Sequence, residues 1–285
     1  MRPFLKWAGG KRQLLPVIRE FLVNELVLEN STYYEPFVGG GSVFFDVANN
    51  NSVINDYNQE IINAYEVIRD FPEELIAYLK IHEQHHGHDY FYQIRNLDRL
   101  PEFDDMTNIE MAARTIYLNK TCFNGLYRVN RKGYFNTPIG RYVKPMICDE
   151  NNIREISTFL NNHNIRMLHG DFENAVPNPQ AGDFVYFDPP YDYEDQKGFV
   201  GYSAQGFTRN DLTRLKHFCD QLIEQGCIVL ISNNDTKFVR DTFNDENYQI
   251  IYEINQYPAN RNISSNGANR STKVPEVLIY GKNRE

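Results

Sequence analysis

The chain has only four cysteines, Cys122, Cys148, Cys219 and Cys227, and they form no C-x-x-C pair and no zinc-like spacing. That pattern favours neither a disulfide framework nor a cysteine-built metal centre, and reduced thiols in a cytoplasmic protein are the plain reading. No apolar run approaches the roughly 20 residues that a membrane-spanning helix needs. Residues 1–20 lack the charged-then-apolar pattern of an export signal, and no internal repeat is visible. There is one tryptophan, Trp7. Acids are missing from three stretches. Thr115 to Ile147 carries Lys120, Arg128, Arg131, Lys132, Arg141 and Lys144 with no Asp or Glu, and Arg2, Lys6, Lys11 and Arg12 precede the first acid, Glu20. Ala259 to Val274 holds Arg261, Arg270 and Lys273, again without an acid.

These gaps matter because the protein as a whole is acidic, with a formal net charge of −9. Spread evenly, that charge argues against a polyanionic partner. Concentrated away from three basic segments, it leaves a positive face free to meet nucleic acid, although loops also collect charge without function. The 285 residues suit one large domain, or a core with a sizeable insertion, and a hydrophobic fraction of 41% supplies a real interior.

Hydrophobic spacing over Lys11 to Leu28 (Leu14, Leu15, Ile18, Leu22, Leu26) predicts a helix. Thr32 to Glu35 reads as a short strand running into the glycine turn Pro36-Phe37-Val38-Gly39-Gly40-Gly41, with Ser42 a suitable N-cap for the helix that follows. Ser52 to Asn55 is a second strand, and Ile61, Ile62, Tyr65 and Ile68 mark the next helix. This order is a βαβ unit and predicts a parallel sheet. From about Tyr57 to Met146 helical stretches dominate (Pro72 to His82, Ile109 to Asn119) and end in a glycine- and proline-bearing basic hairpin. Strands then resume at Ile165 to Leu168, Phe184 to Phe187, Cys227 to Ile231, Tyr248 to Ile254 and Glu276 to Tyr280, with a helix over Thr208 to Glu224. The expected architecture is a doubly wound α/β core from residues 1–57 and 147–285, with a mainly helical insertion at 58–146.

Three motifs carry chemistry. Asp188-Pro189-Pro190-Tyr191 follows the buried-looking strand Phe184 to Phe187, where open α/β sheets bind their ligands. Two prolines fix the backbone and supply no N–H, so neighbouring carbonyls are left facing outward. An amino group could find its two acceptors in the Asp188 carboxylate and the Pro189 carbonyl, which would free its lone pair to attack an electrophilic methyl, while Tyr191 stacks on the ring. The same tetrapeptide also reads as a rigid exit turn. In the glycine turn, Gly39 and its neighbours let a ligand approach the backbone closely, but the spacing is not G-x-G-x-x-G, so a pyrophosphate is not indicated. A methionine carboxylate suits the turn better. Asp56, ending the next strand, either accepts hydrogen bonds from ribose hydroxyls or caps the following helix. Phe4-Leu5-Lys6-Trp7-Ala8-Gly9-Gly10-Lys11 offers an aromatic face beside glycines and lysines, or simply a tryptophan for the core.

Taken together, F-L-K-W-A-G-G-K, E-P-F-V-G-G-G-S-V-F, I-N-D-Y-N, Gly170-Asp171-Phe172 and D-P-P-Y resemble the Dam-type DNA adenine-N6 methyltransferases, alpha group, especially restriction-system members acting on GATC. The resemblance spans nearly the whole chain. It implies a Rossmann-like, S-adenosylmethionine-dependent methyltransferase core with a helical target-recognition insertion. It implies that Trp7, Lys11, Phe37, Gly39 and Asp56 meet S-adenosylmethionine, that Asp171 and Phe172 lie by the cofactor adenine, and that Asp188 borders both cofactor and target. Phe123 to Asn130 and Phe135 to Tyr142 are similar to the recognition hairpin of the GATC-specific members. There Phe123 matches an intercalating aromatic, often Tyr in the family, beside Asn124. Leu126, Arg128 and Pro138 match base-reading positions, Arg141 and Tyr142 match backbone and flanking contacts, and Lys6 lies near the first guanine. The chemistry agrees, because arginine donates twice to guanine and a flipped adenine leaves a gap that an aromatic fills.

The implied partner is double-stranded DNA containing GATC. A monomer with no obligate protein partner and no membrane association is expected, serving restriction–modification or a related host or phage system. Two rivals are weighed, a methyltransferase for another amine (adenine in RNA, a glutamine amide) and a non-catalytic DNA-binding protein on the same fold. D-P-P-Y and the hairpin argue against the first, and the intact cofactor motifs against the second. His82, His85, His86 and His88 have metal-like spacing, but Gly87 marks a helix C-cap and methyl transfer from a sulfonium needs no Lewis acid, so no metal is expected.

Overall fold

The computed structural model describes residues 1–6, 14–25, 31–48, 50–194, 206–253 and 275–283. Trp7, Lys11, the start of the helix expected from Lys11, and the basic stretch from Ala259 to Val274 lie outside the described residues. In chain order the elements are α1 (Leu15–Glu25), β1 (Tyr33–Glu35), α2 (Phe44–Val47), β2 (Asn51–Asp56), α3 (Gln59–Asp70), α4 (Pro72–His85), α5 (His88–Asn96) and α6 (Asn108–Thr121). Then follow α7 (Glu150–Asn162), β3 (Asn164–His169), β4 (Phe184–Phe187), α8 (Arg209–Glu224), β5 (Ile228–Asn234), α9 (Lys237–Thr242), β6 (Tyr248–Glu253) and β7 (Glu276–Gly281).

Among the described residues the strands form one seven-stranded sheet in the order β3-β2-β1-β4-β5-β7-β6. The first five are mutually parallel, and β7 runs antiparallel to both β5 and β6. From β1 the chain winds outward through β2 and β3, then returns to β4 and winds the other way. The order therefore reverses between β1 and β4, and a ligand crevice opens at such a point.

Alternation along each strand builds two cores. Tyr33, Phe184, Tyr186 and Leu230 join one cluster with Ile61, Ile62, Tyr65 and Ile68 of α3, Leu79 of α4 and Tyr117 of α6. Tyr34, Val185, Phe187, Val229 and Ile231 point the opposite way, onto Leu212, Leu215, Cys219 and Leu222 of α8. Each large aliphatic side chain so buried contributes roughly 1.5–3 kcal/mol. The first cluster runs without a break across residue 57, so α3 packs on the sheet as the crossover helix of β2.

Three local expectations are corrected. Ser42 does not cap α2. Val43 holds the N-cap position with helical φ and ψ and no side-chain bond, because the next turn closes through Phe45 N–H to Gly41 O (3.0 Å) and carries Ser42 inside it. Asp56 does not cap α3 either, since Asn58 accepts from the Glu60 N–H (3.0 Å). Gly87, read as a C-cap of α4, opens α5 instead in an extended conformation. Thr208, expected as the first residue of its helix, is the N-cap of α8, with Asp211 completing a reciprocal cap.

Candidate active site

Strand register brings the sequence motifs to one edge of the sheet. Glu35 pairs with Ile54 and Asp56 with His169, while Tyr34 pairs with Val185 and Phe187 with Ile231. Continued past the carboxyl ends, these pairings line up Gly170 and Asp171, Asp56, Phe37, Asp188 and Ser232 across five adjacent strands. Cross-links hold the row together. Val38 N–H donates to Asn55 O (2.9 Å), Gly170 N–H to Asp56 O (3.1 Å), and the Asn55 amide to both Pro36 O (2.9 Å) and Gly170 O (3.0 Å).

The glycine turn is tied to Asp56. Gly39 N–H donates to Asp56 Oδ2 (3.0 Å) and Asn58 N–H to Oδ1 (2.9 Å). Although the residue as a whole keeps some exposure, burial of its carboxyl pushes Asp56 up to about 6, with the two N–H bonds pulling the other way. Gly39 and Gly41 have φ of 48° and 75°, where side chains are disfavoured, and a Cβ on Gly41 would strike the Tyr65 hydroxyl and the Phe45 ring. Phe37 stands beside Phe172 (5.6 Å between centroids), Phe207 (5.8 Å) and Phe187 (6.4 Å). Asp171 caps the turn Phe172–Asn174 through Glu173 N–H (3.1 Å) and pairs with Arg214 (3.1 Å), whose guanidinium lies over the Phe172 ring.

Asp188 is half-buried, and Pro189 buried, at the end of β4. Ser232 on β5 donates to Asp188 Oδ1 (2.9 Å), and the Tyr186 hydroxyl meets the same Ser232 oxygen at 2.9 Å. Behind them Tyr33 donates to the buried Glu35 carboxylate (2.6 Å). Burial, then the charge of Glu35 and its acceptance of that hydrogen bond, with smaller effects from Tyr186 and Asp188, raises Tyr33 well above its usual range, so its hydroxyl stays a donor. Sequence reasoning missed Ser232, Tyr186 and Phe207. The polar run Ser232-Asn233-Asn234-Asp235 was nevertheless a signal, since it ends a buried strand just as D-P-P-Y does.

The hairpin expected to read DNA is present, closed by antiparallel bridges Cys122 to Ile139 and Val129 to Phe135. Phe123, Pro138, Arg141 and Tyr142 are exposed, and so are the unforeseen Val143 and Met146. Asn124 adopts φ 56°, and its Nδ2 has no hydrogen-bond partner among the described residues. Arg128 Nε donates to Asn136 Oδ1 (2.7 Å). Leu126, expected to reach a base, is buried beneath the Phe123–Gly125 turn. Lys6 is stitched to the hairpin, because Asn119 accepts its N–H (2.7 Å) and donates to Lys6 O (2.9 Å) and Gly125 O (3.1 Å). The Lys6 ammonium sits 3.8 Å from the Tyr142 ring centre. Burial, then the charge of Lys6, pushes the neighbouring Lys120 down to about 8.

The histidines go separate ways. His82 is buried against Tyr117 with Nδ1 at 2.8 Å from the Tyr90 hydroxyl, and burial, aided by His85, pushes it down to about 4. His86 meets the Tyr117 hydroxyl (3.0 Å), His85 the Ile81 carbonyl (2.9 Å) and His88 the neighbouring Asp89 (3.0 Å). Among the described residues no group of three potential metal ligands converges.

A Rossmann-like sheet with a reversed β7, a glycine turn after β1, an acid after β2 and D-P-P-Y after β4 defines a methyltransferase acting on an amino group. More narrowly, the chain belongs to the family of D12 class N6 adenine-specific DNA methyltransferases, whose family model matches residues 7–258. It is 42% identical to the type II methyltransferase M1.LlaDCHI of Lactococcus lactis subsp. cremoris, over 99% of this chain and 96% of that protein. The type II methyltransferase M.MjaIII of Methanocaldococcus jannaschii is 36% identical, over 98% of each. The DNA adenine methylase of Escherichia coli K12 is 30% identical, over 99% and 95%. Among solved structures, an rRNA methyltransferase of Streptomyces viridochromogenes overlaps 98% of this chain and 90% of its own at 11% identity, with a TM-score of 0.42. Family membership makes this chain a DNA-acting enzyme with a methyl donor of the S-adenosylmethionine type. Among the described residues no helix is long and apolar enough to cross a membrane.

Proposed function

We propose that this enzyme methylates N6 of the adenine in duplex GATC, using S-adenosylmethionine, after turning that adenine out of the helix. The observation that carries the reading is the meeting of Asp188 with the glycine turn at the point where strand order reverses. The residues around that turn suit the donor. Gly39 and Gly41 hold the turn at positive φ beside the strand end, Asp56 is an acid for ribose hydroxyls, and Phe37 with Phe172 gives an apolar wall for a purine. Trp7 and Lys11 complete this set in our reading, with Asp171 at its margin. When bound, S-adenosylmethionine supplies an electrophilic methyl group on a sulfonium.

The chain's own part is to bind, orient and deprotonate. Asp188 and the Pro189 carbonyl accept the two amino hydrogens, drawing the nitrogen lone pair out of conjugation with the ring, and Tyr191 stacks on the base. Pro190 holds the turn. Asp188 takes up the departing proton or passes it to solvent. The adenine reaches this point from the hairpin, where exposed Phe123 fills the gap left in the stack and Asn124 lies beside it. Arg128 reads guanine, helped by Lys6 and Pro138, while Leu126 supports the turn from below and Arg141 and Tyr142 fix register on the backbone. Of residues 58–146, α3 serves the core and the part beyond it forms the recognition unit, and the enzyme works as a monomer in restriction–modification or a related DNA-modifying system.

Asp188→Ala tests the chemistry. Its kcat on a GATC duplex should fall at least about 100-fold, while the Kd for that duplex stays within about threefold of the unaltered protein, since phosphate contacts dominate affinity. Near-normal turnover by this variant would sink the assignment.

A further inference from the structure

A reactive carboxylate on a loop must be held to within about half an ångström of its working position. The two prolines that follow Asp188 stiffen the loop but donate nothing to tether it. The tether comes from β5. Ser232 donates to Asp188 Oδ1 (2.9 Å), and one residue on, Asn233 Oδ1 accepts the Asp192 N–H (2.9 Å). Asn234 donates to the Asp192 carbonyl and Thr236 to Asp192 Oδ2 (2.6 Å), while Arg209 grips both Asp192 oxygens (2.9 and 3.0 Å). Asp192 is 1% exposed, and all its polar atoms are engaged. The D-P-P-Y segment is thus a short span clamped at both ends by one polar run.

At the Asp188 end the hydrogen bonds have a direction. An ionised carboxylate can only accept, so the Ser232 proton points at Asp188 and the Tyr186 hydroxyl must supply its own proton to Ser232. Ser232 and Tyr186 are fully buried, where a lost hydrogen bond is costly. Both lie on the α3 and α6 face of the sheet, the face that carries the hairpin.

Building on the reading of Asp188 as the amino-group acceptor, we propose that Ser232 is the positioning residue of the reaction: it holds the Asp188 carboxylate through Oδ1, with Tyr186 orienting Ser232. The hydroxyl touches neither substrate nor donor. Its loss should slow the chemical step without weakening binding.

The test compares Ser232→Ala, Ser232→Thr, Tyr186→Phe and Asp188→Ala on a duplex carrying one target site, with a second duplex bearing 2-aminopurine at the target to report base extrusion. Ser232→Ala should lower kcat about 10- to 100-fold, the cost of a misplaced reacting group, with KM for DNA and for S-adenosylmethionine within about twofold and the fluorescence rise on binding preserved. Ser232→Thr, which keeps the hydroxyl, should recover most of the rate, and Tyr186→Phe should lose less than Ser232→Ala. Unchanged kcat in Ser232→Ala, or a loss that falls on KM and extrusion instead, overturns the proposal. If Ser232→Ala does not accumulate as folded protein, a full kcat in Tyr186→Phe overturns it equally. An active Asp188→Ala would instead remove the underlying reading, so the two failures are distinguishable.

Discussion

Asp56 and Asp188 stand at one sheet edge, on the two strands that flank β1, yet the protein holds them by different means. Backbone N–H groups of the glycine turn fix Asp56, so its position depends on the turn keeping its shape. A buried serine fixes Asp188, so its position depends on the next strand. The first arrangement gives a prediction at Gly41. Alanine there must adopt φ near 75° and push its methyl into the Tyr65 hydroxyl and the Phe45 ring. Gly41→Ala should cost about 1–3 kcal/mol, read as a lower midpoint in thermal or urea unfolding, together with weaker donor binding. An unchanged midpoint would show that the turn is neither strained nor tightly packed. At this scale the places of D-P-P-Y and the glycine turn at the sheet edge were legible because both follow buried strands. Ser232 and Asp192 were not, because the bonds that give them meaning join positions 44 and 41 residues apart. The base-reading role that the resemblance implied for Leu126 meets a buried side chain, because the Phe123–Gly125 turn lies above it.

At the scale of elements, the sheet followed from short apolar runs bounded by glycine and proline, and the strands found are those expected to within a few residues. The helices α5, α7 and α9 were not foreseen. Of these, α5 is only 9 residues long and buries only Phe91 completely, so few positions mark it out. What α5 and its exit provide became clear only in three dimensions. Asp98, just beyond it, accepts the Phe135 N–H of the hairpin (2.7 Å), Arg99 donates to Phe135 O (2.7 Å), and Asp98 also pairs with the buried Arg114 of α6 (2.9 Å). One hairpin residue is therefore gripped at both ends of its backbone. Removing the acid takes from Arg114 the nearer of its two carboxylate partners, leaving only Glu60 at 3.8 Å in a site 1% exposed. Asp98→Ala should lose about 3–5 kcal/mol of stability in urea unfolding. At temperatures where it remains folded, it should also lose discrimination between the target duplex and duplexes altered at one base pair. Full discrimination by this variant would mean that the hairpin sets its own position.

For the whole molecule, charge is arranged rather than merely counted. A net charge of −9 coexists with the exposed Arg131, Lys132, Arg141 and Lys144 on and after the hairpin, and with Lys6 stitched beside it. The segregation was readable from acid-free stretches alone. The union of the N-terminal stretch and the hairpin into one surface was not, because Asn119 joins positions 113 residues apart in sequence. That surface and the D-P-P-Y edge share one face of the sheet, which links reading a site to modifying a base. The most direct test is to methylate plasmid DNA with the purified enzyme and S-adenosylmethionine, digest it with nucleases that distinguish methylated from unmethylated GATC, and identify the modified nucleoside by mass spectrometry. The account predicts N6-methyladenine as the sole new nucleoside and a changed cleavage pattern at every GATC. Methylated cytosine, or methylated adenine with GATC cleavage unchanged, would contradict it.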